Sequence, residues 1–91
     1  MKKEKAIKDI IDKMFEIAGY RLGYDDMIGR DDDWYSKYIM TEQQNNEWIS
    51  WGAEYLYKNK LVHSKTMAKI EMGWMNLSFG LKIYNNDNTR S

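Results

Sequence analysis

The 91-residue chain carries 14 Lys and Arg against 14 Asp and Glu, so its formal net charge is zero. A neutral chain has no strong overall field to draw it to phosphate backbones or anionic lipids, which disfavours non-specific nucleic-acid and membrane binding. Cysteine is absent, and this excludes a disulfide framework and a thiolate metal site. A fold held by packing alone fits a reducing compartment, and the expected location is the cytoplasm.

Proline is absent, and the apolar residues recur with helical rather than alternating spacing. This pattern predicts an all-α domain with almost no strand: a small bundle of three main helices plus one short helix and an acidic loop. The single helical domain is expected to span residues 1–84, and residues 85–91 are predicted to form a flexible polar tail.

The first predicted helix has one apolar face and one face of alternating Lys and Asp. A glycine is expected to end it, because glycine enters the left-handed cap conformation freely. Gly19 and Gly23 are both candidates, and Gly23 is favoured because Leu22 still falls on the apolar face. That face consists of Ile7, Ile10, Ile11, Met14, Phe15, Ile17 and Ala18.

Residues 23–33 contain five aspartates among turn-forming residues and are predicted to form an acidic loop. Carboxylates are the ligands that Mg²⁺ and Ca²⁺ prefer, although the spacing here is not that of an EF-hand. In the alternative interpretation, Asp31 to Asp33 cap the next helix, and Arg30 pairs locally or with the long helix that follows. No metal site or cofactor is assigned. The candidate binding loop consists of Tyr24, Asp25, Asp26, Arg30, Asp31, Asp32, Trp34 and Tyr35.

After the acidic loop, a short helix is expected to hold Trp34, Tyr35, Tyr38 and Ile39. Thr41 and Gln44 then form a capping-box pattern, which predicts that a long helix runs over residues 42–58. Tyr35 and Tyr57 fall off the main apolar stripes, so both are expected to be exposed. The apolar arc of the long helix consists of Trp48, Ile49, Trp51, Gly52, Tyr55 and Leu56.

The last helix is predicted from Ser64, its N-cap, to Leu81. It carries two apolar stripes about 160° apart on the helical wheel. A helix with one solvent-exposed face needs only one apolar stripe. The helix is therefore either central in the bundle or an assembly surface. The first stripe consists of Met67, Ile70, Trp74, Leu77 and Leu81. The second stripe, taken as the candidate interface, consists of Ala68, Met72, Met75 and Phe79.

No catalytic residues are assigned. His63 is the only histidine, so a two-histidine metal site cannot form within one chain, and Ser64 is better explained as a helix cap. A modest basic patch near the last connector could hold a small anionic ligand or could be ordinary solvated surface. The patch consists of Lys58, Lys60, His63, Lys65 and Lys69.

The run Y-D-D-M-I-G-R-D-D-D-W-Y at residues 24–35 is followed by M-T-E-Q-Q at 40–44 and W-I-S-W-G at 48–52. This order of motifs resembles small uncharacterised proteins of tailed bacteriophages. Asp33 departs from the pattern as an extra acid before the tryptophan. The resemblance implies a phage product that acts in the host cytoplasm, and it implies no activity for any residue.

The leading hypothesis is a non-enzymatic accessory protein: a small helical homo-oligomer that binds and modulates a host or phage protein, with interference with host defence as one role. The alternative is a metal-dependent or phosphate- or nucleotide-binding protein or enzyme that uses the acidic loop. A nucleic-acid-binding module is the third hypothesis, which the neutral charge and the apolar last helix disfavour.

Overall fold

The computed structural model describes residues 1–27, 29–30, 38–79 and 82–84. In chain order the elements are α1 (Lys3–Ala18), a 3-10 turn (Tyr24–Met27), β1 (Ile39–Thr41), α2 (Glu42–Lys58), α3 (Lys65–Phe79) and β2 (Lys82–Tyr84). The prediction of a small all-α bundle with three main helices is confirmed. Among the described residues, no helix is long and apolar enough to cross a membrane. The predicted tail at 85–91 lies outside the described residues.

Helix α1 ends at Gly19 and not at Gly23, so the favoured boundary was wrong. Gly19 adopts a left-handed conformation with φ of 86°, and its N–H donates to the carbonyl of Glu16 at 3.1 Å. The Tyr20 N–H donates to the carbonyl of Phe15 at 2.9 Å, which completes the hydrogen-bonding pattern of a glycine-capped helix end. Leu22 still packs against the core, but it reaches it from the loop.

The predicted capping box and the bounds of α2 are confirmed. The Thr41 hydroxyl accepts from the Gln44 N–H at 3.0 Å, and the Gln44 side-chain oxygen accepts from the Thr41 N–H at 2.8 Å. The Gln44 amide also donates to the carbonyl of Ile17 at 3.1 Å. This one side chain therefore caps α2 and ties its start to the end of α1.

Helix α2 is the central helix, because it packs against α1 on one side and α3 on the other. Toward α1, the fully buried Trp48 donates its indole N–H to the carbonyl of Ile10 at 2.8 Å. Toward α3, Gly52 lies against Met72. The buried core consists of Ile10, Ile11, Met14, Phe15, Met40, Trp48, Ala53, Leu56, Ala68 and Met72.

A short two-stranded parallel ladder joins the start of α2 to the end of α3. Strand β1 pairs with β2 so that Ile39 lies opposite Lys82 and Thr41 lies opposite Tyr84. The ladder corrects the expectation that Ile39 belongs to a short helix; residues 34–37 of that helix lie outside the described residues. The β-branched and aromatic residues of these segments favour extended backbone once the folded helices bring the two segments together.

Candidate functional site

The carboxylates at the described start of the acidic loop act as acceptors for backbone N–H groups. Asp26 accepts from the N–H of Gly23 at 2.7 Å, and Asp12 on α1 accepts from the N–H of Tyr24 at 2.7 Å. The Arg30 guanidinium donates from Nε to the carbonyl of Asp26 at 3.1 Å. These bonds fold the segment back onto α1, where Lys8 lies 5.3 Å from the centre of the Tyr24 ring.

The structure describes only part of the candidate binding loop. Tyr24, Asp25, Asp26 and Arg30 are described, whereas Asp31, Asp32, Trp34 and Tyr35 lie outside the described residues. Across the part of the chain that is described, no group of three or more acidic, histidine or cysteine side chains is arranged to hold a metal ion. The loop therefore remains a sequence prediction.

The candidate interface residues of α3 face α2. Ala68 and Met72 are fully buried, and Met75 is half-buried against the core. The Phe79 ring lies 6.0 Å from the ring of Trp48. Ala68 and Met72 therefore belong to the core of the bundle, whereas Met75 and Phe79 at the end of the stripe are partly exposed.

The opposite stripe of α3 is exposed. Its four described side chains, named here the α3 stripe, are Met67 at 46%, Ile70 at 47%, Trp74 at 64% and Leu77 at 72% exposure. Leu81 of the same predicted stripe lies outside the described residues. The exposure follows from the fold, because α3 packs on α2 through its other stripe and meets α1 at Glu71, which pairs with Lys3 at 3.9 Å. A contiguous set of large exposed apolar side chains typically marks a surface that contacts another molecule.

The α3 stripe has the spacing of a helix–helix seam. Its residues are separated by three, four and three positions, which is the a/d pattern of a coiled coil. Small residues flank it on one side, Thr66 and Gly73, and a Cβ added at Gly73 would contact nothing within 4 Å. Another helix can therefore approach this face closely.

A second surface feature is a groove between α2 and α3, named here the lysine groove. Its volume is about 590 Å³. It is lined by Ser50, Ala53, Glu54, Tyr57, Lys58, Lys65 and Lys69. The Lys65 ammonium lies 5.7 Å from the centre of the Tyr57 ring, and Tyr57 is 42% exposed, which confirms its predicted exposure.

A neighbouring hollow of about 420 Å³ shares Tyr57 and Lys58 with the groove and adds Lys60, Val62 and His63. The structure thus gathers the whole basic patch along one continuous surface.

A hydrogen-bonded cluster between α1 and α2 contains the perturbed titratable groups. The Tyr55 hydroxyl donates to Asp9, which also pairs with Lys5 at 2.7 Å. The Lys5 ammonium and then the Tyr55 hydroxyl hold the pKa of Asp9 below its usual range, and the bond to Asp9 raises the pKa of Tyr55 to about 12. The Tyr55 ring stacks on Trp51 at 4.7 Å. The cluster joins α1 to α2, and Trp51 and Tyr55 also line a small hollow of about 220 Å³ with Glu54 and Lys58.

Comparisons with known proteins identify no relative of this chain. No protein-family model matches the chain, and neither the curated proteins nor the solved structures include a significant match. The support for the candidate sites therefore comes from their geometry.

Proposed function

We propose that this chain is a non-enzymatic interaction protein that pairs with a second copy of itself through the α3 stripe. The observation that carries the proposal is the exposure of four large apolar side chains on the face of α3 that points away from the core. The stripe has the spacing of a helix–helix seam, and the occupant that fits it is a helix with the same pattern.

The stripe is complementary to itself in the antiparallel orientation. The positions are symmetric about residue 72, so Met67 of one copy would face Leu77 of the other, and Ile70 would face Trp74. Each layer then combines a larger and a smaller side chain, which packs better than two tryptophans opposite each other in a parallel pair. Such a pair has a two-fold axis and closes on itself, as most small homodimers do.

The area of the stripe suits a modest affinity. The exposed fractions of the four side chains of the α3 stripe correspond to about 400 Å² of accessible apolar surface per chain. A standard stable interface buries about 800 Å² per partner, so flanking residues of α3 must contribute the rest. We expect a dissociation constant in the micromolar range.

Sedimentation velocity over a range of protein concentrations tests the pairing. Leu77→Glu is expected to abolish concentration-dependent association, because a carboxylate would be buried in the seam without a partner. Ile39→Glu is the matched control, since Ile39 is a similarly exposed apolar residue that belongs to β1 and not to the α3 stripe. A monomeric wild-type protein at all accessible concentrations, or equal association of both variants, would contradict the proposal.

Cysteine cross-linking tests the orientation, and the chain offers no native cysteine to interfere. A mixture of the Met67→Cys and Leu77→Cys proteins should form a disulfide-linked dimer under mild oxidation, whereas each protein alone should not. Cross-linking of either single variant with itself would indicate a parallel pair instead.

The resemblance to bacteriophage proteins adds that the pair would act on a host or phage protein in the cytoplasm. This part of the proposal rests on the resemblance alone, and a pull-down from host lysate with the Leu77→Glu protein as control tests it.

A further inference from the structure

The lysine groove concentrates positive charge in a chain that is neutral overall. Lys58 projects from α2 and Lys65 and Lys69 project from α3, whereas Glu54 is the only acidic residue among the described residues of the lining. In the described part of the chain, none of these three lysines forms an ion pair. Three ammonium groups from two helices therefore meet one carboxylate at this concavity.

The start of α3 adds to this positive field. The Ser64 hydroxyl accepts from the N–H of Met67 at 3.1 Å, which confirms the predicted N-cap. The first turn contains no acidic residue, and Lys65 occupies its first position. Acidic side chains usually balance the partial positive charge at a helix start, and here a lysine increases it. A bound anion would supply the missing negative charge.

The shape and lining of the groove favour a small ligand. Its volume of about 590 Å³ lies within the usual range for small-molecule pockets. Ala53 and the exposed Tyr57 ring form an apolar wall beside the lysines. An aromatic group could lie against Tyr57 while attached anionic groups reach the ammonium groups.

A nucleic-acid strand fits this surface less well. A strand needs a long basic path, whereas α3 carries no basic residue from 70 to 79 and presents Glu71 and the apolar α3 stripe beyond Lys69. Lysine is a strongly hydrated point charge that suits phosphate groups, and it lacks the planar fork with which arginine grips a carboxylate.

We propose that the lysine groove binds a small phosphate-bearing ligand, with Lys58, Lys65 and Lys69 on the phosphate groups and Tyr57 as the apolar wall. Inorganic polyphosphate and a nucleoside polyphosphate share this chemistry. The site is independent of the α3 stripe, because Lys65 and Lys69 lie on a different face of α3 from Ile70 and Trp74.

Isothermal titration and thermal unfolding with tripolyphosphate, at an ionic strength matched with sodium chloride, test the proposal. We expect a raised melting temperature, because the ligand binds only the folded state. The Lys65→Gln/Lys69→Gln protein should bind about tenfold or more weakly, as expected when charge-assisted contacts are removed. The control is Lys2→Gln/Lys8→Gln, which makes the same change in charge on α1 and its N-cap.

Titrations with ATP and with citrate distinguish a nucleoside polyphosphate from inorganic polyphosphate and from general anion screening. Tighter binding of ATP than of tripolyphosphate, with the difference lost in Tyr57→Leu, supports a nucleoside polyphosphate, whereas equal binding supports inorganic polyphosphate. Equal stabilisation by citrate would overturn the proposal, since it would show general anion screening. Unchanged binding in the lysine variant, or binding of an oligonucleotide in place of the small phosphates, would also overturn it.

Discussion

The backbone of Gly52 on α2 lies directly against the side chain of Met72 on α3. A Cβ added at Gly52 would overlap the sulfur and terminal methyl group of Met72. Met72 is fully buried, so its sulfur and terminal methyl group would have to repack within the core to make room. The glycine therefore allows the close approach of the two helices that directs one stripe of α3 inward and the other outward.

Gly52→Ala is expected to destabilise the fold. The alanine gains about 1 kcal/mol of helix propensity but forces an overlap in a packed core, which typically costs about 1–3 kcal/mol. Gly73→Ala is the matched control: it is also inside a helix, yet its Cβ would meet open space, so it should gain about 1 kcal/mol. Urea unfolding at low protein concentration measures both. Stabilisation by Gly52→Ala equal to that of the control would contradict the close contact.

Lys60→Gly is expected to stabilise the protein. Lys60 has φ of 59°, a left-handed conformation that costs a residue with a side chain about 1–2 kcal/mol. Its N–H donates to the carbonyl of Tyr57 at 3.0 Å in the cap of α2, a position where glycine is usual. Lys60→Ala removes the same charge but keeps the strain, so it should leave the unfolding free energy nearly unchanged. If both variants gave the same gain, charge and not backbone conformation would be the cause.

The Asp9–Tyr55 hydrogen bond predicts a pH dependence at both extremes. Because the pKa of Asp9 is lowered in the folded state, its contribution to stability is present above its unfolded pKa and is lost as the pH falls through the lowered pKa. Because the pKa of Tyr55 is raised from 10.0 to about 12, its contribution is present below pH 10 and is lost as the pH rises toward 12.

Tyr55→Phe should reduce both effects, since it removes the hydroxyl that donates to Asp9. Urea unfolding at neutral, acidic and alkaline pH measures the change, and ultraviolet titration should show the loss of the late ionisation assigned to Tyr55. Tyr57→Phe serves as control, because Tyr57 is an exposed tyrosine on the same helix. An identical pH profile for Tyr55→Phe and the wild type would refute the assignment.

Glu71→Gln is expected to strengthen the proposed antiparallel pair. In that arrangement Glu71 of one copy lies near Glu71 of the other, beside the two-fold axis, so the like charges repel. Within its own chain Glu71 pairs with Lys3 at 3.9 Å, an exposed contact that contributes little to stability. Sedimentation velocity should show tighter association of the variant, and urea unfolding at low protein concentration should show little change in monomer stability. Weaker association would argue against the antiparallel register.

Features determined by local chemistry could be predicted from the sequence. The capping box at Thr41 and Gln44, the Ser64 cap and the bounds of α2 depend on side chains within one turn of the helix end. The end of α1 was missed because Gly19 and Gly23 have the same local freedom, and only packing of the loop against α1 separates them. There Asp12 accepts from the Tyr24 N–H, a contact between residues twelve positions apart.

The surfaces also divide into features that follow from the sequence and features that follow from packing. The sequence alone determined that the last helix carries two apolar stripes and that five basic residues cluster around one connector. Which stripe is buried was decided only by the tertiary structure, because both stripes have helical spacing and similar hydrophobicity. Gly52 accepts Met72, so α2 covers that side of α3, and the other stripe is left exposed. The lysine groove likewise exists only where two packed helices meet, since a concavity is a property of packing and not of periodicity.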